Sequence, residues 1–514
     1  MVTTDIAQAN ETGTGVAPLE DELRAQVARI LHRRPAIGLA VGVVGHGSFS
    51  FHGEGLADIE TDTRISQDTV FRIGSITKTI TGVAVMQLWE DGSIDLDAPA
   101  NDYLRGYRLI PDNDHWPPVT VRHLLTHTAG IPDVLHFRDL LHPGWGPLGA
   151  RPPLVSAAPG EPLPSLAEYY RGVIRAVTEP GTAFAYSNHG FATLGQIVED
   201  VSGDSLEHYL RERIFDPLGM TDTDLLRSDR IQSRLAQGYV LGSSGPEQIE
   251  DREWIGGGAG GVYSSSRDLA RYLAALLGGG TNQHGSILEP ATLLMMFDNQ
   301  FQTDPRLPGV GLAFFRADAG GHRIVDHDGI LPGFNSSLVL APEKGVGVFG
   351  MTNGASGAMF WLPEEMGGLL HDLLGVGAEP VPSDIPQHPE AWGDLCGRYQ
   401  LPAVGDLRGR VVMGAGAQVL VRGGRLMFRL LTPIPVLYRG FPLHPHDASD
   451  PYVFRLDPSG FGMRPIRLIF DREPTSGRRV IHTDLGGWPI TLYEVPMPGR
   501  GRQPRVGGHR GIMR

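Results

Sequence analysis

The chain has almost no lysine. Its 514 residues hold forty-two arginines but only two lysines, Lys78 and Lys344. It has a single cysteine, Cys396, so no disulfide can close within it and no thiol cluster can hold a metal. No apolar run reaches the ~18 residues needed to cross a bilayer. Met1 to Ala17 lacks both the basic start and the apolar core of a signal peptide. A cytoplasmic protein with no membrane partner is therefore expected. The formal net charge of −14 argues against nucleic acid as the main partner and favours solubility. What is present is ordinary for a soluble globular protein, 41% hydrophobic and 20% charged. The length calls for two domains.

The rarity of lysine makes its two positions informative. Lys344 lies in Pro342-Glu343-Lys344-Gly345, an exposed turn between strands. Lys78 follows Gly74-Ser75-Ile76-Thr77 and runs into the apolar stretch Ile80–Leu88. Arginine could fill any surface role, but it stays protonated at working pH, whereas a desolvated lysine can become neutral and accept a proton. A lysine kept here points to chemistry.

The patterning gives the organisation. Residues 18–33 have helical spacing. Ala36–Val44 and Ser48–Gly53 read as strands joined by Gly45-His46-Gly47. A helix from Ser75 to Asp91 is apolar nearly all round and is expected to be buried. Residues 142–164 form a long Pro/Gly loop, the kind of segment that often serves as a lid. Helices are expected over Phe191–Val201, Asp268–Leu277 and Trp361–Leu374, with a hairpin of Ser337–Leu340 and Val346–Met351. Residues 376–391 hold four prolines and mark a linker. Beyond it the alternation Val419, Val421, Gly423-Gly424, Leu426, Phe428, Leu430 is a hairpin, and residues 392–497 read as a small antiparallel barrel. Residues 1–17 and the arginine-rich tail 498–514 are expected to be disordered.

Three short motifs carry candidate chemistry. Ser75 and Lys78, at i and i+3, share a helix face, so hydroxyl and amine come within reach of each other. The helix N-terminus favours a developing alkoxide. Tyr186-Ser187-Asn188 follows the turn Glu179-Pro180-Gly181-Thr182. A tyrosine near an amine can shuttle a proton, and Asn188 points the same way if the segment is extended. His327-Asp328-Gly329, with Ile330 next, taken alone reads as a polar turn, although Gly329 would allow close backbone approach. Other signals are weaker. His123 and His127 lie at i, i+4 but lack the glutamate of a metalloprotease motif and read as a packing pair. His444-Pro445-His446-Asp447 reads as a loop, and Gly256–Gly261 is no phosphate loop, since no Lys-Ser/Thr follows it.

Together the three motifs resemble the serine β-lactamase-like superfamily: penicillin-binding proteins, class C β-lactamases, D-aminopeptidases and related esterases. Leu124–Gly130, Gly257–Ser264 and Pro332-Gly333-Phe334 are also similar to segments of that family, and the resemblance spans about residues 20–375. It implies an α+β fold: an antiparallel sheet flanked by helices plus an all-helical region at 18–375, followed by a lipocalin-like barrel. It implies Ser75 as nucleophile, Lys78 and Tyr186 as proton carriers, and the N–H groups of Ser75 and Ile330 as an oxyanion hole. Asn188 would hold the substrate beside Gly329, and His327 would support the tyrosine or the leaving group. No cofactor or metal is implied. The substrate would be a small molecule or peptide, possession of D-residues and homo-oligomerisation being left open. One departure is plain: the lactamases usually carry Lys-Thr-Gly where this chain has His327-Asp328-Gly329. A neutral histidine binds a carboxylate less well, so weak β-lactamase activity is expected. Three readings stand: a serine hydrolase of esters or short peptides, an acyl transferase of the peptide-cyclase (thioesterase) type, and a binding protein with a relict site.

Overall fold

Leu39, Val41 and Val43 point to one face of a strand, Ala40 and Val44 to the other, and all five are buried. That strand, Gly38–Gly45, lies inside a seven-stranded antiparallel sheet covered on both sides, so its sequence is apolar throughout. The strand order is Phe315–Ala319, His322–Leu331, Phe334–Ala341, Val346–Thr352, Gly38–Gly45, Ser48–Asp58 and Thr63–Arg64. The computed structural model describes residues 20–133, 156–377, 381, 384–401, 416–432, 434–459 and 465–496. The expected disordered ends, residues 142–155 of the Pro/Gly loop and residues 378–380 and 382–383 of the proline-rich linker lie outside the described residues.

The first and last helices of the sheet domain form one layer. Glu20–Arg33 opens on Glu20, Asp21 and Glu22 and ends on His32 and Arg33, charges that suit the helix dipole. It buries Leu23, Val27 and Ile30 with Trp361, Leu362 and Met366 of Ala358–Leu374 against Leu39, Val41 and Val43. Each such side chain contributes roughly 1.5–3 kcal/mol. On the opposite face lies a larger helical region. Its axis is Thr77–Glu90, buried at every position from Thr77 to Met86 as its sequence requires. Helix Asn188–Ser202 packs beside it. No helix among the described residues is long and apolar enough to cross a membrane.

The C-terminal unit is a closed barrel of eight antiparallel strands between Gly397 and Val495. Tyr399 is fully buried, and Phe454 and Phe470 meet edge-to-face at 5.6 Å. Eight strands leave room for a side-chain core or for one small ligand, and among the described residues the inward side chains form one apolar cluster.

Several local expectations need correction. Ser75 is not in the α-helix: it sits in a 3₁₀ turn, Gly74–Ile76, and the α-helix begins at Thr77. His327-Asp328-Gly329 is not a turn but the interior of strand His322–Leu331, with His327 opposite Leu338 and Gly329 opposite Ser336. Only part of Tyr186–Asn188 is extended, because Ser187 caps the helix that Asn188 begins. Lys344 is exposed in its turn, as its surroundings suggested.

Candidate active site

Gly74 creates the turn that carries Ser75. Its φ of +53° is in the left-handed region, where a side chain is strained. A Cβ there would also lie 2.9 Å from Ile330 N. Gly329 answers it from the sheet: a Cβ on Gly329 would be 2.0 Å from Ile73 O and 2.3 Å from Ser336 Oγ. Ser336 Oγ donates to Ile73 O at 2.7 Å and ties the two segments together. Two glycines face to face thus bring the backbone of Ile330 against the turn that carries Ser75.

Lys78 is the buried centre of the cluster, with no exposed surface. Its Nζ donates to Asn188 Oδ1 at 2.7 Å and to Ala259 O at 2.6 Å, and lies 3.0 Å from Ser75 Oγ. The first two neighbours can only accept, so two N–H bonds are committed to them. The third direction faces the serine. Asn188 is held in turn by Asp133, whose Oδ1 accepts from Asn188 N at 3.0 Å and Nδ2 at 3.1 Å. The glycine-rich turn Gly257–Ala259 delivers the Ala259 carbonyl. Gly258 passes close to Gly195, and its carbonyl accepts from Thr81 Oγ1 at 2.8 Å. Asp133 was not singled out in the sequence, and Ala259 only as part of the segment Gly257–Ser264.

Tyr186 joins this polar cluster to an aromatic one. Its ring lies 4.9 Å from Lys78 Nζ. His127 stacks on it at 4.3 Å. His127 is more than the packing pair its spacing suggested. It sits at φ +56°, its carbonyl accepts from Ala185 N at 2.7 Å, and its Nδ1 accepts from Ser187 N at 3.1 Å. Residues 185–187 are therefore anchored on both sides of Tyr186. Burial, with the charge of Lys78 nearby, holds the His127 imidazole well below its usual range, so the ring is neutral. His123 has a different part, closing a capping box with Thr120.

His327 is 2% exposed. Burial first, and then Lys78, push its pKa down to about 3, against the opposing effect of its hydrogen bond to Asp328 O. Its Nδ1–H donates to that carbonyl at 2.9 Å, which makes Nε2 the acceptor; Nε2 is buried with no partner among the described residues. Phe315 lies 5.1 Å from the His327 ring and 6.4 Å from that of Tyr186. Of the seven residues singled out in the sequence, Ser75, Lys78, Tyr186 and Asn188 make one contact cluster. Gly329 and Ile330 adjoin its serine, and His327 reaches it through Phe315.

The family profile described as beta-lactamase matches residues 23–368. The chain belongs to the beta-lactamase family. Within it, the chain is 28% identical over 388 residues to penicillin-binding protein 4 of Amycolatopsis lactamdurans, a match covering 70% of this chain and 94% of that protein. It is 28% identical over 353 residues to the unguisins hydrolase ungD' of Aspergillus campestris, covering 65% of this chain and 62% of that protein. It is 31% identical over 281 residues to esterase EstB of Burkholderia gladioli, covering 52% and 68%. Among solved structures, SurE aligns with a TM-score of 0.61 at 24% identity over 93% of this chain and 99% of that one. A complex of SurE with D-Leu aligns at 0.60 and 25%. The octameric penicillin-binding protein homologue from Pyrococcus abyssi aligns at 0.57 and 23%, over 92% and 99%. At that coverage the likeness to these three structures extends beyond the family profile into the C-terminal barrel. Among the described residues no three His, Cys, Asp or Glu side chains group as a metal site.

Proposed function

We propose that this protein is a serine hydrolase that cleaves esters or short-peptide amides through an acyl-enzyme on Ser75. The observation that carries this reading is the buried Lys78 amine 3.0 Å from Ser75 Oγ, with its other two hydrogen-bonding directions fixed on Asn188 and Ala259. Once it has given up a proton, an amine so held turns its lone pair to the serine hydroxyl. Ser75 Oγ attacks the substrate carbonyl carbon as its proton passes to Lys78. The oxyanion is met by the N–H groups of Ser75 and Ile330. Tyr186 relays the proton to the departing alcohol or amine. Water, or an amine, then adds to the acyl-serine and regenerates the Ser75 hydroxyl by the reverse proton path.

Acyl transfer to an amine is the second reading. The likeness to SurE, solved with D-Leu, makes D-residues the first amine acceptors to try. A relict site accounts poorly for a Ser75, Lys78, Asn188 and Tyr186 cluster held this closely. The single cysteine fits a reducing, cytoplasmic setting, and self-association belongs to the same proposal, with an octameric relative as its support.

His327 sets the expected substrate preference. A ring with a pKa of about 3 is uncharged at neutral pH and offers a substrate carboxylate no cation. Short-chain esters should be cleaved much faster than penicillins or cephalosporins. The preference should be flat from pH 6 to 8, because protonation of His327 begins only far below that window. His327→Lys should move the ester-to-cephalosporin ratio of kcat/KM about tenfold toward the lactam, roughly the worth of one charge-assisted hydrogen bond. The comparison is kcat/KM for a p-nitrophenyl ester and a chromogenic cephalosporin on both proteins. A wild type that hydrolyses both equally well would sink the preference argued here.

A further inference from the structure

Among the described residues, Trp488 carries the barrel to the aromatic side of the active site. Its last two strands, Arg479–Thr483 and Ile490–Val495, are joined by the 3₁₀ turn Leu485–Gly487, and Trp488 leaves that turn in extended geometry, φ −96° and ψ 129°. Pro489 follows, and a residue before proline is confined to that region. Asp484 braces the turn from below by accepting from Arg467 N at 2.8 Å and, through its carbonyl, from Gly487 N at 2.9 Å. So positioned, the Trp488 ring stacks on Tyr186 at 5.1 Å with an interplanar angle of 5°. Phe184 and Phe315 lie 6.1 and 6.3 Å from it.

The barrel is fixed in this pose by contacts away from the site. Arg306 Nη1 pairs with Asp450 at 2.6 Å, Arg467 Nη1 donates to Arg306 O at 2.5 Å, and Leu307, Val453 and Ile469 bury one another. Trp488 is only partly buried and packs on Phe184 and Phe315.

We infer that Trp488 makes the barrel part of the active site, forming with Phe184 and Phe315 an apolar subsite for the leaving group. This rests on the acyl-enzyme reading above. In that reaction Tyr186 hands its proton to the departing alcohol or amine, so the departing group must approach the Tyr186 hydroxyl. A group placed there comes against the indole face stacked beside it. Flat apolar leaving groups, aryl or benzyl, are therefore preferred over small ones. The acyl acceptor enters where the leaving group departs, so the same wall favours apolar amines over water in the second half of the reaction.

The test uses the full chain and two esters of one acid, the ethyl and the benzyl. In wild type the benzyl ester has the higher kcat/KM, and Trp488→Ala should lower the benzyl-to-ethyl ratio about tenfold, the scale of one well-placed aromatic contact. Dividing by the ethyl ester removes intrinsic reactivity and any general loss of active protein. Trp488→Phe, which keeps a ring, should fall between the two, and Trp488→Leu serves if the alanine variant unfolds. A ratio within twofold of wild type in the alanine or leucine variant overturns the inference. A fluorophosphonate probe on wild type separates the two claims. With Ser75 labelled and the ratio unmoved, the subsite fails alone; with Ser75 unlabelled, the acyl-enzyme reading fails and the subsite with it.

Discussion

Lys78→Arg is expected to lower kcat/KM on an ester by about 10³–10⁴-fold, the upper range of what a general base contributes. Lys78→Ala should be nearly as poor. The arginine keeps the positive charge, so a purely electrostatic role for Lys78 would leave most activity in place. It cannot take the Ser75 proton, because guanidinium does not give up its own at any working pH. Its fork is also too large for the space between Asn188 Oδ1, Ala259 O and Ser75 Oγ, where the amine meets three partners within 3.0 Å. Melting temperature and circular dichroism of both variants would show whether the fold is kept. Acylation by the arginine variant within tenfold of wild type would assign the base role to another group, with Tyr186 the first candidate.

Gly329→Ala should cost about 10²–10³-fold in kcat, the usual loss for one oxyanion donor. A methyl group there has no room, being 2.0 Å from Ile73 O and 2.3 Å from Ser336 Oγ. Both are parts of the tie between strand and nucleophile turn, so the strand must move away and take Ile330 N with it. The same crowding should lower stability by roughly 1–3 kcal/mol. Because substrate binding depends on other groups, kcat should fall more than KM rises. The steady-state parameters of the variant, with its urea midpoint, check both parts. A variant with kcat within fivefold of wild type would remove Ile330 from the oxyanion site.

What was legible in the sequence was local chemistry. Lys78 stood out because the chain otherwise uses arginine, and its spacing from Ser75 set their contact. The buried helix after it was legible because it is apolar all round. The barrel was legible from strand alternation, and eight strands close it. What escaped depends on chain segments far apart. Asp133 holds Asn188 across 55 residues and Ala259 meets Lys78 across 181. No periodicity encodes such pairs. His327-Asp328-Gly329 was hard to recognise as strand because its buried face is polar: it lines the site and not the core. His127 looked like one half of a histidine pair, yet its work is done by a strained backbone and a ring face, neither of which spacing reveals. Nothing in the sequence set Trp488 apart. Only the docking of the barrel brings it to Tyr186.

The central claim is a covalent intermediate on Ser75. Its most direct test is intact-mass spectrometry of the wild type and Ser75→Ala after a short incubation with an activated ester, followed by peptide mapping. Wild type should gain the mass of one acyl group on the peptide containing Ser75, and the alanine variant, folded, should gain none. An equal adduct on the alanine variant, or a wild-type adduct on any other residue, would contradict the account.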